Sequence, residues 1–176
     1  MEDSKLLEYG FEIVSGLISL TIGIAITVRI NRRLEKRREA FNMFKEFKSE
    51  DMKNNANLAY KLILKHPNKN YDITSNELPP NETNPLWTLI GFYQYLWILI
   101  DEKQINRRLV PRLFGELIVW WYYFSFKENL LPVDWDTSKD IKKLFNWIKK
   151  NSKSKDFQNW KRQIELRQSK RIVQDD

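Results

Sequence analysis

The chain has 176 residues, a net charge of +7, no cysteine and one histidine, His66. Without cysteine there are no disulfides or thiolate metal sites, and one imidazole is too few for most zinc or histidine-based catalytic constellations, so no cofactor or metal is expected. Aromatics make up 14% of the chain, and seven tryptophans supply a large apolar payload for a small helical domain.

The first element carries the strongest signal. Ile13 to Val28 is uncharged and apolar, and it ends against a dense basic cluster, Arg29, Arg32, Arg33, Lys36, Arg37 and Arg38. With its edges, Phe11 to Ile30 spans about 20 residues, the length a helix needs to cross a hydrocarbon core of about 30 Å. A single N-terminal transmembrane helix is expected. Glu2, Asp3, Glu8 and Glu12 precede the run with only Lys5 against them, the reverse of a secretory signal peptide. Because basic flanks stay on the cytoplasmic side, residues 1–10 are placed outside and everything from Arg29 inward. The organisation is then a short outer N-terminus at 1–10, a span at 11–30, a basic helical neck at 31–48 and a cytoplasmic helical domain at 49–176.

At about 100° per residue, Glu12, Ser15, Gly16, Ser19, Gly23 and Thr27 share one arc of roughly 120°. Ile13, Leu17, Leu20, Ile24 and Val28 lie opposite. A lone helix in lipid gains nothing from such a division, so the small face is expected to meet other helices or water. Either the backbones pack closely there, or a ring of copies lines an aqueous path with Glu12 near its outer mouth.

Beyond the span, three-to-four spacing of apolar residues runs through most segments, and the whole chain reads as all-α. The first helix continues past the basic cluster on a stripe of Leu34, Phe41, Phe44 and Phe47 to a break near Ser49, which caps a second helix to about Leu64. Residues 66–85, with Pro67, Pro79, Pro80 and Pro85, read as a long loop. Leu86 to Ile100 reads as a buried core helix, and Gln104 to Phe126 as another with Pro111 near its start. Thr137-Ser138-Lys139-Asp140 is expected to cap a helix to about Lys150, and Ser154 to open a last one to about Gln168.

The C-terminal quarter is basic. Trp147 and Trp160 are interleaved with Lys149, Lys150, Lys153 and Arg162, with Arg167 beyond, a composition compatible with phosphate contacts and base stacking. The spacing of Leu144, Phe145, Trp147, Ile148, Phe157, Trp160 and Ile164 instead assigns the aromatics to a core and the lysines to a solvated face. A membrane surface, a partner protein or nucleic acid would each suit that face. No Gly-rich phosphate loop or nucleophile triad is present, and His66 reads as a helix-terminal residue, so the chain is expected not to be an enzyme.

The architecture resembles the small membrane accessory proteins of type VI-B CRISPR systems, which assist an RNA-guided RNA nuclease. The helical pair Leu86 to Ile100 and Gln104 to Phe126, with Asp101-Glu102-Lys103-Gln104-Ile105 and Leu113-Phe114-Gly115-Glu116, is also similar to a wider family of bacterial membrane-anchored helical proteins. The resemblance implies a HEPN-like fold, a homo-oligomeric pore in the bacterial inner membrane, and an antiviral role in which the nuclease partner triggers depolarisation. HEPN ribonucleases pair an arginine with a histidine a few residues on, and no arginine lies between Arg38 and His66. No catalytic residue is therefore carried over.

Overall fold

A computed structural model of the chain describes residues 2–65, 80–128, 132 and 134–172, with side chains described for 16–65, 83–127, 132 and 134–166. Among the described residues the chain is all-helical: α1 (Glu2–Phe47), α2 (Glu50–Lys65), α3 (Pro80–Asp101), α4 (Val110–Phe124), a 3-10 turn (Phe126–Glu128), α5 (Asp136–Asn151) and α6 (Ser154–Ile172). His66 and most of the expected loop at 66–85 lie outside the described residues.

α1 runs unbroken through the basic cluster, as its spacing predicts, and stops where the Lys48 and Ser49 amides bond back to the Phe44 and Glu46 carbonyls. Ser49 then caps α2, its Oγ accepting from the Met52 amide at 3.2 Å, with Glu50 and Asp51 in the positive first turn. The inward stripe of α1 differs from the expected one. Ala40, Met43 and Phe47 are buried and Phe44 packs against them, whereas Leu34 and Phe41 are exposed. Phe41 lies about 100° from Ala40 around the helix, outside the arc that Met43, Phe44 and Phe47 share with it.

The core helix is α3. Leu86, Leu89, Ile90, Tyr93, Leu96 and Ile100 are almost wholly buried, and α2 and α5 pack along it. α3 begins earlier than expected, at Pro80. A proline at the first helical position forfeits no hydrogen bond, and Pro85, still close to the start, is buried within the helix. The second helix begins later than expected, because residues 102–109 form a turn. The Gln104 amide bonds to the Leu99 carbonyl at 2.9 Å and the Lys103 amide to the Ile100 carbonyl at 3.2 Å, with Lys103 at φ 56°. That pairing is a Schellman ending. Pro111 near the N-terminus of α4 fixes where helix resumes.

α4 and α6 cross where Gly115 leaves room for the Trp160 ring; a Cβ at 115 would lie 2.7 Å from Trp160 Cζ3. α5 is held to α3 by a polar clamp, Thr137 Oγ1 donating to Gln94 Oε1 and Gln94 Nε2 to Asp140 Oδ2, both at 3.3 Å. The expected Thr137-Ser138 cap is thus corrected: Trp135 occupies the N-cap, stacked on Trp87, and the Thr137 hydroxyl is engaged across the bundle. Along α4, Phe114 meets Phe44 of α1, while Phe124 stacks on Tyr60 of α2 and Trp120 packs on the same ring at a tilt. α1 and α2 therefore follow one another down the same side of the bundle.

Candidate functional site

From Gly16 to Ile30, α1 stands clear of the bundle. Leu17, Ile18, Leu20, Ile22, Ile24, Ile26, Val28 and Ile30 are each between 43% and 61% exposed. Their positions, advanced at about 100° each, cover the whole circumference of the helix. A helix apolar on all sides needs an apolar environment on all sides. Among the described residues no helix is long and apolar enough to cross a membrane. The apolar run continues back to Ile13, and the side chains of Ile13 to Ser15 are not described.

The small face contains Gly16, Ser19, Gly23 and Thr27 among the described side chains; Glu12 and Ser15 lie outside them. Among the described residues nothing stands within 4 Å of a Cβ built at Gly16 or Gly23, so there is open space over both glycines. Thr27 Oγ1 donates to the Gly23 carbonyl at 2.9 Å, and Thr21, on the opposite side of the helix, donates to the Leu17 carbonyl in the same way. Both hydroxyls are satisfied by their own helix and need no water.

The basic cluster divides by face. Arg29, Arg32, Arg33 and Lys36 follow the i, i+3, i+4, i+7 spacing of one helical stripe. With Ala25 and Val28 they line an open groove of about 460 Å³. Arg37 and Arg38 are exposed and do not line it. The lower end of the stripe is pinned to the bundle, because the Asn106 amide in the α3–α4 turn donates to the Lys36 carbonyl at 3.0 Å. That bond brings the α3–α4 turn, which carries Arg107 and Arg108, against the neck. Arg107 lies over the Trp147 ring, 5.4 Å from its centroid, which ties the C-terminal part of α5 to the same end of the bundle.

Exposed Lys149 and Lys150 follow two and three residues after Trp147, and exposed Lys153 sits in the α5–α6 turn. Arg162 is exposed further along α6, and the side chain of Arg167 is not described. Leu144, Phe145, Ile148, Phe157 and Ile164 are buried as their spacing predicts. The two tryptophans are half-buried and committed to packing, Trp147 under Arg107 and Trp160 on Gly115. A base-stacking platform is not what these rings build. Arg107 and Arg108 were not singled out in the sequence; their signal was an arginine pair directly before the α4 start at Leu109-Val110-Pro111.

Within the bundle, burial pushes the Tyr93 phenol well above its ordinary value. Burial, and secondarily the neighbouring Tyr123, raises Tyr122, which stacks on Phe145 with centroids 3.7 Å apart. Glu116 is exposed. Among the described residues no group of three or more His, Cys, Asp or Glu side chains is placed to hold a metal ion. Comparison with protein-family models, with curated proteins and with solved structures finds no match.

Proposed function

We propose that α1 anchors the chain in a bilayer as a single span, N-terminus outside, and that the bundle is held on the cytoplasmic side as a membrane-tethered adaptor for a partner. The observation that carries this reading is the collar of large aliphatic side chains from Leu17 to Ile30, exposed on every side and abutting the bundle's cations. Fully burying one such side chain is worth about 1.5–3 kcal/mol, so eight that are each about half exposed forgo on the order of 6–12 kcal/mol that a lipid environment recovers. The self-bonded hydroxyls of Thr21 and Thr27 suit the same environment. The test is alkaline carbonate extraction of cell membranes together with maleimide labelling of single cysteines placed at residue 4 and at residue 150, in a chain that has none of its own. Retention in the pellet, with residue 4 labelled from outside and residue 150 only after lysis, is expected; release into the supernatant would refute the anchor.

A second reading is favoured by the open space over Gly16 and Gly23 on the small face. Several copies would associate there into the pore that the CRISPR-accessory resemblance implies, with a HEPN-like bundle receiving an RNA-guided nuclease and depolarising the inner membrane. Disulfide trapping of single cysteines at 19 and 23, against 20 and 24, tests the association, and dye release from vesicles separates a pore from an adaptor.

A further inference from the structure

We propose that the groove lined by Ala25, Val28, Arg29, Arg32, Arg33 and Lys36 is a binding site for the phosphate headgroup of an anionic phospholipid. The inference rests on the anchor reading of α1 and adds a ligand to it.

Three observations converge on this stripe. The four cations share one face at a spacing of three and four residues, so their head groups converge instead of fanning around the helix. None of them has an ion-pair partner among the described residues, whereas Lys139, Lys143 and Lys161 are each matched to an acid one turn away. The lining is also graded: Ala25 and Val28 are apolar at the upper end, and the charged residues follow toward the bundle. A free phosphate would have no use for that upper part, while a lipid presents its phosphate beside its acyl chains. The volume, about 460 Å³, falls within the range of small-molecule sites. Three of the four cations are arginines, whose planar forks meet phosphate oxygens two at a time. The Asn106 to Lys36 backbone bond holds the lower end of the stripe against the bundle, so a lipid seated there also fixes the rotation of the bundle relative to the bilayer.

The charge-matched test compares Arg29→Gln/Arg33→Gln, in the groove, with Arg37→Gln/Arg38→Gln, which follow the groove toward the bundle and do not line it. The full chain, purified in mild detergent, is titrated with phosphatidylglycerol, phosphatidylcholine and inorganic phosphate, with bound lipid read by native mass spectrometry. It is also reconstituted into phosphatidylcholine vesicles and floated on a density gradient. The expected result is retention of phosphatidylglycerol over phosphatidylcholine, weakened by about tenfold or more in the groove pair and little changed in the control pair. Equal loss in both pairs would overturn the site in favour of undirected charge. Displacement of the lipid by inorganic phosphate at equal concentration would overturn the lipid assignment. Wild-type protein that fails to float with the vesicles would overturn the anchor itself, a separate outcome from a floating protein without lipid preference.

Discussion

The two ends of the described part of α1 are one helix with two environments. Between Ala40 and Phe47 the helix buries Ala40, Met43 and Phe47 and leaves Phe41 and Lys45 outward, the division any amphipathic helix makes against a core. Between Leu17 and Ile30 it exposes large aliphatic residues on every side. Backbone geometry is the same in both, so helix formation says nothing about what a segment is for. The difference lies in which side chains find a neighbour, and the changeover falls on the basic stripe from Arg29 to Lys36.

If the two ends are independent, each breaks alone. Ile22→Lys puts a charge in the middle of the exposed apolar stretch, where it opposes insertion by about 2.5–3.5 kcal/mol. Membrane retention should fall sharply, while the thermal unfolding of the bundle stays where it was. Met43→Ala, at a residue 1% exposed, should do the reverse: a loss of about 2–5 kcal/mol of bundle stability in urea, with carbonate-resistant retention unchanged. Retention lost in both variants would show that the anchor depends on an intact bundle as well as on α1, so that the two ends are not independent.

Within the bundle the next effect is at Gly115. An alanine there would force its Cβ against Trp160, a rigid ring wedged between α4 and α6, so the helices must part. Gly115→Ala should destabilise by about 1–3 kcal/mol. Its indole fluorescence should shift as Trp160 is displaced toward water. An unshifted spectrum with full stability would show that the α4–α6 crossing can yield.

Tyr93 offers a smaller effect of opposite sign. Its hydroxyl is buried without a hydrogen-bond partner among the described residues, a standing desolvation cost that Tyr93→Phe removes. A gain of about 1 kcal/mol is expected at neutral pH. The folded phenol is raised above its unfolded value of about 10, so its contribution is fully present below that pH. As pH climbs past about 10 the unfolded chain ionises first, and the stability is lost progressively toward the folded value. Tyr93→Phe should therefore flatten the alkaline limb of the stability profile; an unchanged limb would assign it to other tyrosines.

The all-helical class, the unbroken α1, the Ser49 cap and the core role of Leu86 to Ile100 were legible because each is written in local spacing or in a capping residue. What was not legible depended on contacts between distant residues. Thr137 looks like a cap until Gln94, 43 positions away, claims its hydroxyl. The stripe of Phe41, Phe44 and Phe47 looks continuous until Met43 and Ala40 are seen to face the core. At the candidate site the six basic residues of the neck were visible as a cluster, but their division into a groove-lining four and two others is a matter of helical phase. The approach of the turn that carries Arg107 and Arg108 needed the Asn106 to Lys36 bond.

The smallest effect sits where α3 ends. Lys103 occupies the left-handed position of a Schellman ending, at φ 56°, where a side chain crowds the backbone and glycine does not. Its own side chain is exposed and has no ion-pair partner among the described residues, so nothing offsets that strain. Lys103→Gly relieves it but gives the unfolded chain more freedom to lose, which leaves a net gain of about 0.5–1 kcal/mol. Lys103→Ala, which keeps the Cβ, should gain nothing. Because the turn carries Asn106 to the Lys36 carbonyl, the glycine variant also sharpens the comparison of the two ends of α1: urea unfolding should shift upward while lipid retention by the basic groove stays constant. A glycine variant that gains stability yet loses lipid would mean that the side chain of Lys103 belongs to the basic collar.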